Sequence, residues 1–254
     1  MVRVKYLNPV VRLSKKQGKI TMIKIVKADE RHLVNNDSQN SYWLFSYSDY
    51  LDMKNTHFGD LKVFNDDTLK AGKAFSTESV NDKEIITIVL EGELTHEDST
   101  GTKDVLKSGD VQVLSTGTGV SFSGMNLTGN DTHLCRMWID PLMQNMKPAC
   151  RKENFDMDAR KNELVAIAGQ GYPGAVKLRA NSTVFMTKLE EGKTVDILSD
   201  ISRYIFIYVI EGVIDVCGEK LDKNDQIRIN QNEEVIIKAD ADALFVLVDA
   251  AGNY

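Results

Sequence analysis

Two pentapeptides in this chain read as one stretch written twice: Ile88-Val89-Leu90-Glu91-Gly92 and, 120 residues later, Tyr208-Val209-Ile210-Glu211-Gly212. Each is an apolar strand that closes on Glu-Gly. Each is followed by a polar hairpin and then an acidic turn, Ser108-Gly109-Asp110 in one copy and Lys223-Asn224-Asp225 in the other. A period of this length means a duplicated unit rather than one large domain. The 254 residues therefore divide into two halves, each long enough to bury a core of its own.

Helical periodicity is scarce. Short β-rich runs separated by polar turns recur at the spacing of an all-β sandwich or barrel, at 61–64, 85–90, 111–114, 134–139, 176–178, 184–189, 204–210, 226–229, 234–238 and 244–248. Turns are expected at 98–101 and 217–219. The least β-like segment, 143–173, reads as a linker between a first barrel over 22–142 and a second over 174–254, and 162–168 is expected to form a single helical turn or short helix.

Residues 1–21 carry six basic side chains and no acid, whereas the whole chain carries −6, so the remainder carries −12. We read 1–21 as a basic extension, because the alternation that begins at Met22 belongs to the folded unit. An acidic body argues against direct binding to duplex DNA, whose affinity depends on neutralising phosphates. No apolar run approaches the ~20 residues of a membrane-spanning helix. Cys135, Cys150 and Cys217 are few, odd in number and far apart, with neither a disulfide framework nor zinc spacing, which points to a reducing cytoplasm.

The residues from Phe45 through Tyr50, and from Phe58-Gly59 through Asn65-Asp66-Asp67, resemble the opening of the pirin family. The likeness continues through His96-Glu97-Asp98-Ser99, Ser115-Thr116-Gly117-Thr118-Gly119 and Trp138-Ile139, and spans roughly residues 22–250. The resemblance implies an all-β bicupin: two jelly-roll barrels packed face to face in one chain, with any metal in the first. It also implies an activity, since some members open the ring of quercetin with dioxygen and others act as nuclear cofactors or redox sensors.

In metal-binding members, a His-x-His pair and a His-x-Glu pair hold iron. Counted from Gly72 and from the Gly117-Thr118-Gly119 loop, those positions fall here on Glu78 and Val80, and on Phe122 and Gly124. Valine, phenylalanine and glycine offer no side-chain donor, and one carboxylate is too little to hold a transition ion against water. We therefore expect no metal and no cofactor in this cup, with Val80 and Phe122 filling it with hydrocarbon. Glu84, His133 and Cys135 are the possible neighbours of the cup. His96-Glu97-Asp98 is expected to be a solvated turn, His32 and His57 lie in loops, and Cys150 is expected to be the most exposed thiol.

The leading expectation is a cytoplasmic binding, regulatory or sensing protein, with a small molecule or a protein as its partner, no membrane association and a monomeric state. The runner-up is a quercetinase-type enzyme whose ion is held by an unconventional set such as Glu78, His96 or His133. A third class is a thiol redox sensor working through Cys135 or Cys150. No catalytic residue is named by the sequence.

Overall fold

The computed structural model describes residues 11–16, 19–200, 202–230 and 234–252, with side chains from Met22 onward. In the first half, a seven-stranded sheet runs in the order Ala149–Asn154, Asp110–Ser115, Glu84–Glu91, Thr132–Ile139, Leu61–Leu69, Gln39–Trp43, His32–Asn35. A four-stranded sheet, Glu78–Val80, Val120–Met125, Glu93–Asp98, Lys103–Lys107, forms its other wall. Every pairing in these two sheets is antiparallel. In the second half, the strands from Val165–Gly169 to Glu234–Ala250 form one ten-stranded sheet together with the hairpin Val11–Lys16 and Lys19–Val26.

That hairpin modifies the reading of the leader. Lys19–Val26 pairs with Gln226–Asn230, so part of the segment expected to be an extension adds strands to the second barrel. The expected strands all form, with Tyr204–Val216 and Glu234–Ala250 longer than expected. Register shifts between Val209 and Ile214 let this long pair bend around the barrel.

The repeated Glu-Gly has a local cause. Gly212 has φ +79°, and a Cβ there would lie 2.0 Å from the Asp242 carbonyl oxygen. Gly92 has φ +82°, with the Thr132 hydroxyl and the Asp131 carbonyl in the way. Only glycine fits a left-handed turn pressed against a neighbouring backbone.

The linker is more ordered than its composition implies. Ala149–Asn154 pairs with Asp110–Ser115 of the first barrel. The helical turn expected at 162–168 is instead the strand Val165–Gly169, which pairs with Thr183–Leu189. A short apolar run fits either period, and the open edge of a sheet decided it.

One apolar cluster joins the two barrels, with Phe64, Ile86, Ile88 and Met137 from the first and Phe206, Tyr208, Val246 and Val248 from the second. The Phe64 ring lies 5.0 Å from those of both Phe206 and Tyr208. The second barrel is filled by its own buried apolar set, among them Ile205, Ile207, Ile214, Ile237 and Phe245. Among the described residues, no helix is long and apolar enough to cross a membrane.

Candidate functional site

Side chains alternate across a strand, so each strand of the seven-stranded sheet has one face toward the first barrel's interior and one toward the second barrel. Pairing fixes which is which. Trp43 lies opposite Asn65, Asn65 opposite Arg136, Arg136 opposite Thr87, and Thr87 opposite Gln112. These five form a continuous rung across the interior face, and four of them carry polar side chains besides the indole. Asn65, Thr87, Gln112 and Arg136 are all buried.

Arg136 is the centre of this interior. Its Nε donates to Asp67 Oδ2 at 2.6 Å, and its Nη1 donates to Glu78 Oε1 at 3.4 Å. The guanidinium lies over the Phe75 ring, 3.9 Å from its centroid. Burial works against the charge, but Asp67, Tyr47 and Glu78 outweigh it and hold Arg136 protonated. Tyr47 donates its hydroxyl to Glu78 Oε2 at 2.6 Å. Burial pushes the Tyr47 phenol far above its ordinary value, so it is a donor at all working pH.

Trp43, Tyr47 and Trp138 wall the mouth. Tyr47 meets Trp43 and Trp138 edge to face, at 5.0 and 5.4 Å between centroids. Together with Phe75, Val80, Lys83, Glu78 and Arg136 they line an open pocket of about 540 Å³. At its wall and along the same face of the sheet, four buried polar atoms have no hydrogen-bond partner among the described residues: Trp43 Nε1, Asn65 Oδ1, Asp67 Oδ1 and Gln112 Nε2. Two are donors and two are acceptors. Buried polar groups are almost always satisfied, so such a set is matched to water or a small polar ligand.

Of the four positions singled out from sequence, Glu78 and Val80 line this pocket, and Phe122 and Gly124 lie on the strand paired with theirs. Glu78 pairs with Phe122, and Phe122 pairs on its other side with Asp98. Phe122 is buried among Ile85, Leu114 and Val120, with Val80, Trp138 and Cys150 against the cluster. A Cβ on Gly124 would come within 3.2–3.4 Å of Leu94 and Phe75, so that space is filled by neighbours.

The three expected cup neighbours are corrected, because all face the other way. Glu84 shares its strand face with Ile86 and Ile88, and its carboxylate accepts from Ser115 Oγ at 3.0 Å and from the Arg179 amide at 2.9 Å. Cys135 lies fully buried in the core between the barrels, where burial, with Asp66 and Asp67 adding to it, holds its thiol protonated. His133 Nε2 sits 2.6 Å from Asp66 Oδ1. Asp66 also accepts from the Tyr208 hydroxyl and from Arg31 Nη1, so this network ties the two barrels together. Burial opposes a charged His133, yet Asp66 prevails and raises it above its ordinary value.

Other expectations also change. His96 is buried, not solvated, and pairs with Asp98 at 3.1 Å. His32 opens the strand His32–Asn35 instead of lying in a loop and stacks on Tyr50 at 3.9 Å, whereas His57 does lie in a loop, with its Nδ1 2.8 Å from the Thr56 hydroxyl. Cys217 is exposed and Cys150 only partly so.

Sequence reasoning missed Arg136, Asp67 and Tyr47. A signal existed, since an arginine inside the apolar run 134–139 needs a buried acid to answer it.

A family model described as pirin matches residues 26–139, and one described as the quercetinase C-terminal cupin domain matches 165–250. A quercetin 2,3-dioxygenase of Escherichia coli is 31% identical over 231 residues, covering 90% of this chain and 98% of that protein. The chain belongs to the pirin family. This pirin is also 32% identical over 210 residues to a pirin-like protein of Caulobacter vibrioides, covering 82% of this chain and 90% of that one. In structure it is similar to the E. coli bacterial pirin YhhW in complex with nickel(II), with a TM-score of 0.86 at 28% identity, covering 91% of this chain and all of the other.

Proposed function

We propose that this pirin is a binding or sensing protein whose first barrel takes a small organic ligand at Arg136 and Glu78 in place of a redox metal. The single observation that carries the reading is the pairing of Arg136 with Asp67 and Glu78. A guanidinium there supplies the cation that answers those carboxylates. The remaining family ligand positions, Val80, Phe122 and Gly124, provide no nitrogen, oxygen or sulfur side-chain donor, and the donor set does not fit iron or nickel. No step of oxygen chemistry is therefore routed through a metal in this cup.

The ligand chemistry follows from the walls. Trp43, Tyr47 and Trp138 favour a flat aromatic body, and the unpartnered Trp43 Nε1 in the pocket wall favours a hydroxyl or carbonyl group on it. Two carboxylates against one guanidinium disfavour an anionic ligand. Absence of disulfides among the three cysteines is in keeping with a reducing, cytoplasmic home.

Quercetin is the probe that tests the reading, because it has this shape and is the substrate named for the E. coli relative. Titrated under dioxygen, it should quench the indole fluorescence of Trp43 and Trp138 while its consumption stays at background. The second reading, a quercetin 2,3-dioxygenase, is favoured by the names of the relatives. Turnover of quercetin that rises with added iron would replace the first reading with the second.

A further inference from the structure

A second group of ligand-type side chains lies away from the Arg136 pocket. His96 and Asp98 are two residues apart on one face of the strand Glu93–Asp98, and Cys150 comes from Ala149–Asn154. Their donor atoms, one from each residue, all lie within 4.8 Å of one another. The His96 and Asp98 side chains are 5% and 0% exposed.

Asp98 is oriented as a ligand should be. Its Oδ1 accepts from the Thr100 amide at 2.8 Å, the Thr100 hydroxyl at 2.6 Å and the Thr102 amide at 3.2 Å. That leaves Oδ2 turned to His96 Nε2, 3.1 Å away. Hydrogen bonds that fix one carboxylate oxygen and leave the other free are how outer neighbours prepare a metal ligand. On the apolar side, Cys150 packs against the cluster that holds Phe122, whose ring is 6.5 Å from that of His96.

We propose that one zinc ion binds between His96 Nε2, Asp98 Oδ2 and Cys150 Sγ, with water as the fourth ligand. One nitrogen, one oxygen and one sulfur make a borderline-soft set that suits tetrahedral zinc over iron or manganese. Tetrahedral ligands at the usual bond lengths stand roughly 3.3–3.8 Å apart, so the His96–Asp98 pair at 3.1 Å opens slightly and the sulfur closes by at most roughly 1.5 Å. Binding replaces the His96–Asp98 hydrogen bond by two metal bonds. The His96 proton moves to Nδ1, and the Cys150 thiol gives its proton to solvent as the sulfur–zinc bond forms.

In the apo state the surroundings favour the neutral Cys150 thiol, and ion binding has to overcome this. Burial first, and then the Asp98 and Asp104 carboxylates, push the Cys150 thiol up to about 12. The same carboxylates attract a divalent ion, which stabilises the thiolate. None of the three ligands lines the Arg136 pocket, and the ion ties the segment after the first barrel to the hairpin at 93–107.

Cobalt(II) is the spectroscopic stand-in for zinc, used on the full-length, tag-free protein. Wild type should take up about one cobalt per chain, with a sulfur-to-cobalt charge-transfer band that zinc displaces. Cys150→Ala should lose the band and at least tenfold in affinity, and His96→Gln should weaken binding while keeping the band at high cobalt. Cys217→Ala should match wild type. Zinc should raise the melting temperature of wild type and leave that of Cys150→Ala unmoved. The proposal is overturned if wild type binds less than stoichiometric cobalt, or if the band survives in Cys150→Ala. If Cys150→Ala does not fold, a band of wild-type strength and affinity in His96→Gln overturns it equally.

Discussion

Arg136 Nη1 lies 3.4 Å from Glu78 Oε1, so the one acidic side chain left at the family ligand positions is answered by a side-chain cation of the same barrel. The partner acid Asp67 is fully buried, and its Oδ2 is taken by Arg136 Nε. A pair this deep contributes little net stability when intact, because desolvation offsets attraction. Breaking it is another matter. Arg136→Met should destabilise the protein by about 3–5 kcal/mol, since two carboxylates would lose their counter-ion in an apolar setting. Denaturant unfolding checks this, and adding Asp67→Asn to Arg136→Met should recover part of the loss. A second change that makes matters worse would contradict the pairing.

Phe122 now supports the fold. Its ring is buried with Ile85, Leu114 and Val120, and Phe122→Ala should cost about 3 kcal/mol or more. At roughly 2–4 °C per kcal/mol for a chain of this size, the melting temperature should fall by several degrees. Wild-type melting of that variant would place the ring outside the core.

Gly124→Glu, which returns a carboxylate to a family ligand position, should also destabilise. Its Cβ alone presses on Leu94 and Phe75, and overpacking of this kind costs about 1–3 kcal/mol. Differential scanning calorimetry measures the loss, and an unchanged transition would mean that the cup is open at that point.

Asp60 makes stability depend on pH. Burial raises its carboxyl to about 6 from an ordinary 3.8, although the Ser182 hydroxyl, the charge of Arg203 and the Ala251 amide pull it back down. A raised carboxyl favours the folded state fully below pH 3.8 and loses that contribution as pH climbs through 6. The loss is roughly 2–3 kcal/mol at 1.36 kcal/mol per unit. Unfolding free energies of wild type and Asp60→Asn, compared at pH 4 and pH 7, should therefore change relative to each other by that amount. Parallel pH curves would show that Asp60 does not carry the effect.

The two-barrel architecture was legible because the Glu-Gly repeat reflects a backbone need at Gly92 and Gly212 that no other residue meets. The orientation of the strands was not. Glu84–Glu91 is buried on both faces, so Ile85 and Val89 look like Ile86 and Ile88, and periodicity gives no hint of which row faces the cup. Glu84, His133 and Cys135 were assigned to the wrong face for this reason. The polar members of the other row, Thr87, Gln112 and Arg136, would have told the faces apart, but only once the pairing of three strands was known. Likewise, nothing local in sequence brings Cys150 to His96 and Asp98, since that meeting depends on a strand formed within the linker.

The measurement that bears most directly on the claim that Arg136 holds the cation's place is the iron content of the Cys150→Ala protein after anaerobic ferrous loading and desalting. That background removes the proposed zinc ligand, so any retained ion reports on the cup. The account predicts iron well below one ion per chain, with quercetin consumption at background. One tightly held iron per chain, lost on mutation of Glu78, would contradict it.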